Sequence, residues 1–234
     1  MTNETSDERA RARELAAEFA ARGDMLGWFE ALYKEAAGNN EHIPWADLEP
    51  NRFLAAWAHE NKLEGNGRTA LVVGCGLGDD AKFLAERGFK VTAFDISETA
   101  IEWAKKLHAD SGAGFHIDFH AADLFNAPPE WENAFEFVLE VYTIQPLPLE
   151  MRPQVIDAIA GFVKPGGELL VVCRGREDTE EPDQLPWPLS RHDLARFEHN
   201  GLKQISFTKM FGDEEEPEKR FVVKYKKETG HELL

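Results

Sequence analysis

Cysteine is scarce: Cys75 and Cys173 are the only two among 234 residues. Two cysteines give no disulfide framework and suit a reducing compartment. Long apolar runs are missing too, and none approaches the roughly 18 residues that a membrane-spanning helix needs. The first residues are polar and of mixed charge, unlike a secretory leader. These features set the expectation of a cytoplasmic protein with no membrane partner. Basic residues are outnumbered, 26 Lys plus Arg against 43 Asp plus Glu, for a formal charge of −17. Such a surface disfavours nucleic acid and anionic membrane unless a local basic patch intervenes. The basic cluster at 219–227 is interrupted by Phe221–Val223 and Tyr225 and reads as a solvated strand. A serine-hydrolase elbow, a phosphate-binding P-loop and a paired-cysteine zinc motif are all lacking. The length suits one substantial core with an appendage.

What is present is organised around residues 69–95, TALVVGCGLGDDAKFLAERGFKVTAFD. Ala70–Val73 is a short apolar run rich in β-branched residues, fit for a strand buried on both faces. Gly74, Gly76 and Gly78 supply a turn whose backbone a ligand can approach. Asp79 and Asp80 suit the positive end of the helix that follows, and Gly88 stops it. Lys90–Phe94 reads as the next strand, with Asp95 at its carboxyl end.

Upstream, helices are predicted over 7–22, 25–37 and 52–62. Between the last two lies the proline-containing segment HIPWADLEPN, which carries Trp45. Gly65-Asn66-Gly67 marks a boundary, so residues 1–65 read as a helical cap and 66–234 as the sheet-containing core. Downstream, Ser97 caps a helix over 98–108, and 111–114 turns into a strand over 115–120 that closes at Asp123 and Leu124. A strand over 134–141 leads to an irregular loop, 142–148, and a helix over 151–162. Lys164-Pro165-Gly166-Gly167 is a turn into a strand over 168–173, followed by a long acidic loop and a helix over 191–199 capped by Ser190. The last strands fall at 202–207 and 220–226. This alternation predicts an α/β fold: a Rossmann-like, doubly wound, mostly parallel sheet with an antiparallel terminal strand pair.

The glycine turn alone fits two cofactor classes. Gly76, Gly78 and Ala81 satisfy the dinucleotide pattern, with Asp95 near the expected distance, so an NAD-linked oxidoreductase is one reading. A pyrophosphate would then rest beside Asp79 and Asp80. Each close pair of negative charges would oppose it by roughly 4 kcal/mol at an effective dielectric near 20. A cationic, phosphate-free nucleoside such as S-adenosylmethionine meets no such penalty.

Residues 71–167 resemble the class I S-adenosylmethionine-dependent methyltransferases, and in detail the thiopurine and thiol S-methyltransferase group. GCGLGDD resembles that group's glycine motif, which implies cofactor contacts at Gly74, Cys75, Gly76, Gly78, Asp79 and Asp80. FDIS is similar to the second-strand motif, implying that Asp95 holds both ribose hydroxyls, with Ile96 beside it. AADLF implies Asp123 and Leu124 near the adenine, and FEFVLEVYTIQPLP places Glu140, Val141 and Tyr142 near the methionyl end. KPGG resembles the turn before strand five, and IPWADLEP the group's tryptophan-containing lead-in, which implies that Trp45 covers the cofactor. Val72 departs from the acidic residue that many members carry two positions before the first glycine. The methionyl amino group then falls to Asp79, Asp80 or backbone carbonyls.

The resemblance implies methyl transfer to a small-molecule acceptor, with S-adenosylhomocysteine as product. A thiol or similarly soft nucleophile is expected, because an ionised thiol needs little help beyond alignment, whereas a hydroxyl or amine needs a base. No base stands out by spacing. Acceptor-pocket candidates are Tyr142 and Gln145 after strand four, and Arg174, Arg176 and Trp187 after strand five. Cys75 between two glycines reads as packing rather than as a nucleophile. His116, Asp118 and His120 share a strand face, but on an edge strand they read as solvated, so no metal is expected. The N-P-P-Y type of amino-methyltransferase motif is missing, which weakens a nucleic-acid substrate. Besides the oxidoreductase, a non-catalytic binding module of the same fold is a rival. The sequence leaves the oligomeric state open and is compatible with a monomer.

Overall fold

Apolar, β-branched stretches that bury both faces pair into one seven-stranded sheet. The structure, a computed structural model, describes residues 4–109, 117–182, 184–212 and 218–229. Its strands are β1 Thr69–Val73, β2 Lys90–Asp95, β3 Ile117–Ala121, β4 Phe135–Val141, β5 Val163–Arg174, β6 Leu202–Phe211 and β7 Lys219–Lys227. They lie in the order β3-β2-β1-β4-β5-β7-β6. The first five run parallel, and β7 inserts antiparallel between β5 and β6. Strand order reverses between β1 and β4, so a crevice opens at their carboxyl ends, where open α/β sheets place ligands.

The helices are α1 Glu4–Ala20, α2 Gly27–Ala36, α3 Arg52–Glu60, α4 Asp79–Glu86, α5 Glu98–Leu107, α6 Arg152–Phe162 and α7 Arg191–His199. Local chemistry fixes several starts. Asn51 accepts from the Phe53 and Leu54 amides, Ser97 from Ala100, and Ser190 forms a capping box with Asp193. Each such cap contributes about 1 kcal/mol. One sheet face packs Ala70, Val72, Phe137 and Leu139 against Phe53, Leu54, Trp57, Leu84 and Ile101 of α3–α5. The other packs Leu71, Val73, Val138 and Val171 against Ile156, Ile159, Leu194 and Phe197 of α6 and α7. A third cluster joins Leu15, Trp28, Leu32 and Tyr33 of α1 and α2 to Leu77 of the glycine turn and Ala100 of α5. Among the described residues, no helix is long and apolar enough to cross a membrane.

Two expectations need correction. The basic 219–227 segment is not a solvated strand: Phe221, Val222, Val223 and Tyr225 are fully buried between β5 and β6. Its inward-facing cations meet partners, Lys224 meeting Glu168 at 2.6 Å and Arg220 the Tyr142 hydroxyl at 3.0 Å. The KPGG segment does not precede β5 but lies within it. Val163 already pairs with Phe135 and the ladder resumes at Glu168 opposite Phe137, so residues 164–167 bulge out where Pro165 has no amide to donate. The expected turn at 111–114, Phe115, His116 and the acidic run 213–216 lie outside the described residues.

Candidate functional site

The turn after β1 is shaped by left-handed glycines. Gly76 has φ +53°, and a Cβ there would lie 3.0 Å from the Tyr33 hydroxyl. Gly78 has φ +87°, and its Cβ would press to 2.8 Å from the Phe119 ring. Asp95, at the end of β2, faces this turn and is almost fully buried. One of its oxygens accepts from the Gly76 amide and the other from the Ser97 amide, each at 2.9 Å. Burial pushes its pKa up, and those amides oppose the rise. The Ile96 amide bonds this carboxylate as well, so three amides engage it and about one lone pair remains for a ligand hydroxyl. Ile96 follows, half-buried. The Ala122 amide donates to the Asp95 carbonyl at 2.9 Å, which brings the loop after β3 to the same crevice. There Asp123 caps its own short turn, accepting from Phe125 at 2.9 Å and from the Asn126 amide group at 2.6 Å, and Leu124 packs half-buried beside it.

Asp79 and Asp80 open α4, but their surroundings differ. Asp80 accepts from the Asn51 amide at 2.8 Å, and burial pushes its pKa up to about 6. It therefore ties the start of α3 to the glycine turn. Asp79 is also raised by burial, with the positive field of His108 and Lys82 opposing. Burial, reinforced by the Asp95 charge, pushes the Cys75 thiol well above its ordinary value, so it is no thiolate nucleophile.

The N-terminal helices reach this turn through residues that sequence reasoning passed over. Tyr33 on α2 is buried over Gly76, and its hydroxyl accepts from the Trp45 indole at 2.9 Å. Burial and the Asp95 charge push the Tyr33 phenol well up, so it stays neutral. Trp45 itself keeps 40% of its surface exposed beside the turn. One helical turn before Tyr33, Glu30 accepts from the Ser97 hydroxyl at 2.6 Å, the Thr99 hydroxyl at 2.7 Å and the Thr99 amide at 3.1 Å. Burial alone would raise its pKa; those bonds outweigh it and hold the carboxyl at about 2. This carboxylate sits at the positive end of α5, where the helix dipole favours it. A groove of about 730 Å³ between α2 and α5, lined by Glu30, Lys34, Trp103 and Leu107 among others, lies away from Asp95 and the glycine turn except at Tyr33.

Across the crevice, β4 ends on Glu140, Val141 and Tyr142. Glu140 is fully buried, and one oxygen accepts from the Thr143 amide at 2.7 Å and the Ile144 amide at 3.1 Å. Its other oxygen has no hydrogen-bond partner among the described residues, and burial pushes its pKa up to about 7. Val141 packs half-buried on the α3 side. Thr143, another residue missed from sequence, donates to the Val73 carbonyl at 2.9 Å and abuts Gly74, locking the β1 and β4 exits together. Tyr142 adopts φ +60°, left-handed backbone that costs a non-glycine residue on the order of 1–3 kcal/mol and is concentrated at functional sites. Its hydroxyl is held by Arg220 and by the Asn51 side chain.

The remaining acceptor candidates divide. Gln145 is buried, and its side-chain oxygen accepts from the Arg174 amide at 2.8 Å while its carbonyl accepts from the Trp187 amide at 2.9 Å. It staples two loops together. Trp187 is half-buried, and its carbonyl receives Arg152 at 3.0 Å. Arg176 turns to Asp193 of α7 at 3.2 Å, whereas Arg174 stays at the sheet edge, 2.8 Å from Glu218. Asp118 pairs with His120 at 2.9 Å on the edge strand.

This architecture has known counterparts. A family model described as a methyltransferase domain matches residues 70–167. A probable thiol methyltransferase of Arabidopsis thaliana is 30% identical over 69% of this chain and 67% of its own length. A 2-heptyl-1-hydroxyquinolin-4(1H)-one methyltransferase of Mycobacteroides abscessus is 26% identical over 73% of this chain and 74% of its own. Among solved structures, the Burkholderia thailandensis 1,6-didemethyltoxoflavin-N1-methyltransferase, crystallised with that compound and S-adenosylhomocysteine, superposes with a TM-score of 0.67. It covers 91% of this chain and 90% of its own at 19% identity, a likeness of fold. Of the two cofactors that the glycine turn alone allowed, these matches select S-adenosylmethionine, and the chain belongs to the class I S-adenosylmethionine-dependent methyltransferases.

Proposed function

We propose that this small-molecule methyltransferase acts on a thiol or another soft nucleophile, with residues 1–65 forming a cap over a cofactor held by the 66–234 core. Bound S-adenosylmethionine supplies a methyl group activated by a sulfonium, with a neutral thioether as leaving group. The residues at the crevice suit it: a buried carboxylate at Asp95 held in place by backbone amides, and a bare Gly76 where any Cβ would crowd Tyr33. Asp95 would accept the ribose hydroxyls, with Ile96 alongside and Asp123 and Leu124 bordering the base. Trp45 and Tyr33 would exclude water above the glycine turn formed by Gly74, Cys75, Gly76 and Gly78. Glu140, Val141 and Asp79 would border the amino-acid end, and Asp80 would act by tethering Asn51.

The observation that carries the acceptor class is the chemistry at the β4 and β5 exits. Tyr142, Arg174 and Arg220 present hydrogen-bond donors there, and the Glu140 carboxyl is fully buried beneath them with one oxygen engaged by loop amides. Such an edge suits an acceptor that arrives already deprotonated, as a thiol with a pKa near 8.5 does more readily than an alcohol. The relative named as a thiol methyltransferase supports the same class. The acceptor loses its proton to solvent before transfer. Its lone pair would form the new bond to the methyl carbon, and the electron pair of the carbon–sulfur bond that breaks would remain on sulfur as the neutral thioether. Labelled methyl transfer to thiophenol, phenol and aniline at matched concentration tests the reading. Thiophenol is expected to turn over at least tenfold faster than either; preferred methylation of aniline would overturn the assignment.

A further inference from the structure

Arg174 closes β5, Arg220 opens β7, and the two are register partners across the antiparallel ladder. Among the described residues, the Glu218 carboxylate bridges them. Glu218 places one oxygen 2.8 Å from Arg174 Nη1 and the other 2.8 Å from Arg220 Nη2. The partners are unequally placed: the Glu218 side chain is 47% exposed, whereas that of Arg220 is 6% exposed. The arginine side is also the rigid one. Arg220 Nε donates to the Tyr142 hydroxyl at 3.0 Å, and its guanidinium lies near the Phe53 and Tyr142 rings. Tyr142 in turn is held at φ +60° at the mouth of the crevice. Two guanidinium groups side by side in a part-buried setting disfavour each other, and Arg174 is pushed below its ordinary pKa by burial, with the Arg220 charge adding to the fall. An anion between them relieves both. In a chain of formal charge −17, such a pair is also the kind of local feature an anionic substrate requires.

We propose that Arg174 and Arg220 form an anion subsite for the methyl acceptor, oriented by Tyr142 and filled here by the exposed Glu218 carboxylate. The acceptor is then a small organic molecule bound as a monoanion. This deepens the soft-nucleophile reading and rests on it for the identity of the reacting atom; the anion subsite itself is measurable without turnover.

The test is calorimetric titration of the S-adenosylhomocysteine complex, at low salt, with benzenesulfonate and with its neutral analogue benzenesulfonamide. The wild-type protein is expected to bind the sulfonate at least tenfold more tightly. Arg220→Gln keeps an amide donor for Tyr142 but removes the charge, and should erase that preference. Glu218→Gln removes a carboxylate that bridges the pair and should tighten sulfonate binding three- to tenfold while leaving the sulfonamide unchanged. Equal affinities in the wild-type protein, or sulfonate binding not tightened by Glu218→Gln, would overturn the proposal. Thermal stabilisation by S-adenosylhomocysteine checks that each variant is folded. If Arg220→Gln is not, the exposed Glu218→Gln substitution decides alone. A sulfonate preference without methylation of thiophenol would refute the thiol assignment and leave the subsite standing; thiophenol methylation without the preference would do the opposite.

Discussion

Replacing Glu140 by Gln isolates the energetic consequence of a carboxyl group sealed beneath the β4 exit. One oxygen receives the Thr143 and Ile144 amides, and an amide oxygen can receive both equally well. The other oxygen has no hydrogen-bond partner among the described residues, so ionisation there is penalised by burial, and the folded-state pKa rises from 4.5 to about 7. The folded protein therefore holds this proton more tightly than the unfolded chain does. Stability falls as pH rises from the unfolded value near 4.5 toward 7, then flattens. Integrated between pH 5 and pH 8, the loss from this one group is on the order of 2–3 kcal/mol. Glu140→Gln has no such proton to lose. Burying an unsatisfied amide NH₂ costs about 1–3 kcal/mol, but that cost does not vary with pH. The informative quantity is thus the change in the stability gap between variant and wild type from pH 5 to pH 8. Urea unfolding at half-unit pH intervals measures it, with a gap moving by roughly 2–3 kcal/mol in favour of the variant as the expected result. Parallel stability curves would show that Glu140 ionises as freely in the fold as out of it, and the account of its buried oxygen would be wrong.

Asp95→Asn should keep an acceptor for one backbone amide but lose charge-assisted binding of vicinal hydroxyls. The roughly 2.7 kcal/mol of stabilisation expected from S-adenosylhomocysteine at 100 times its dissociation constant should largely disappear in a thermal-shift assay at the same concentration; an undiminished shift would remove Asp95 from the ribose. Glu30→Gln should loosen the α2–α5 junction by about 1–3 kcal/mol, visible as faster amide exchange in α2 with the sheet amides unaffected. Because the Glu30 pKa is held down at about 2, the native stabilisation is present above pH 4.5 and fades as pH falls toward 2, so wild type and variant should converge in acid. Gly76→Ala forces a side chain into left-handed backbone and against the Tyr33 hydroxyl. It should weaken S-adenosylhomocysteine binding at least tenfold in a direct titration, and wild-type affinity would argue against a cofactor passing over this turn.

The alternation of strand and helix, the glycine turn and Asp95 were legible because each is encoded within a short stretch. Hydrophobic period, glycine spacing and cap chemistry act over a few residues, and the structure places those elements where they were read. The interior position of β7 was not legible, since Lys and Arg between apolar residues look solvated until Glu168 and Tyr142 supply partners from remote strands. Site residues divide along the same line. Thr143 and Arg220 matter through contacts with residues about 70 to 80 positions away, and no local pattern announces them. Glu30 and Tyr33 are more instructive, because a signal did exist. They lie three residues apart on α2 and so share a face, and a carboxylate beside a buried tyrosine on an apolar face is a costly placement unless it is satisfied elsewhere. Here Ser97 and Thr99 satisfy it, at the start of the helix that follows Asp95. The same helical turn thus grips the α5 start through Glu30 and roofs Gly76 through Tyr33. An N-terminal segment that reads as an appendage is in this way fastened to the two motifs, the glycine turn and the Asp95 exit, to which we assign the cofactor.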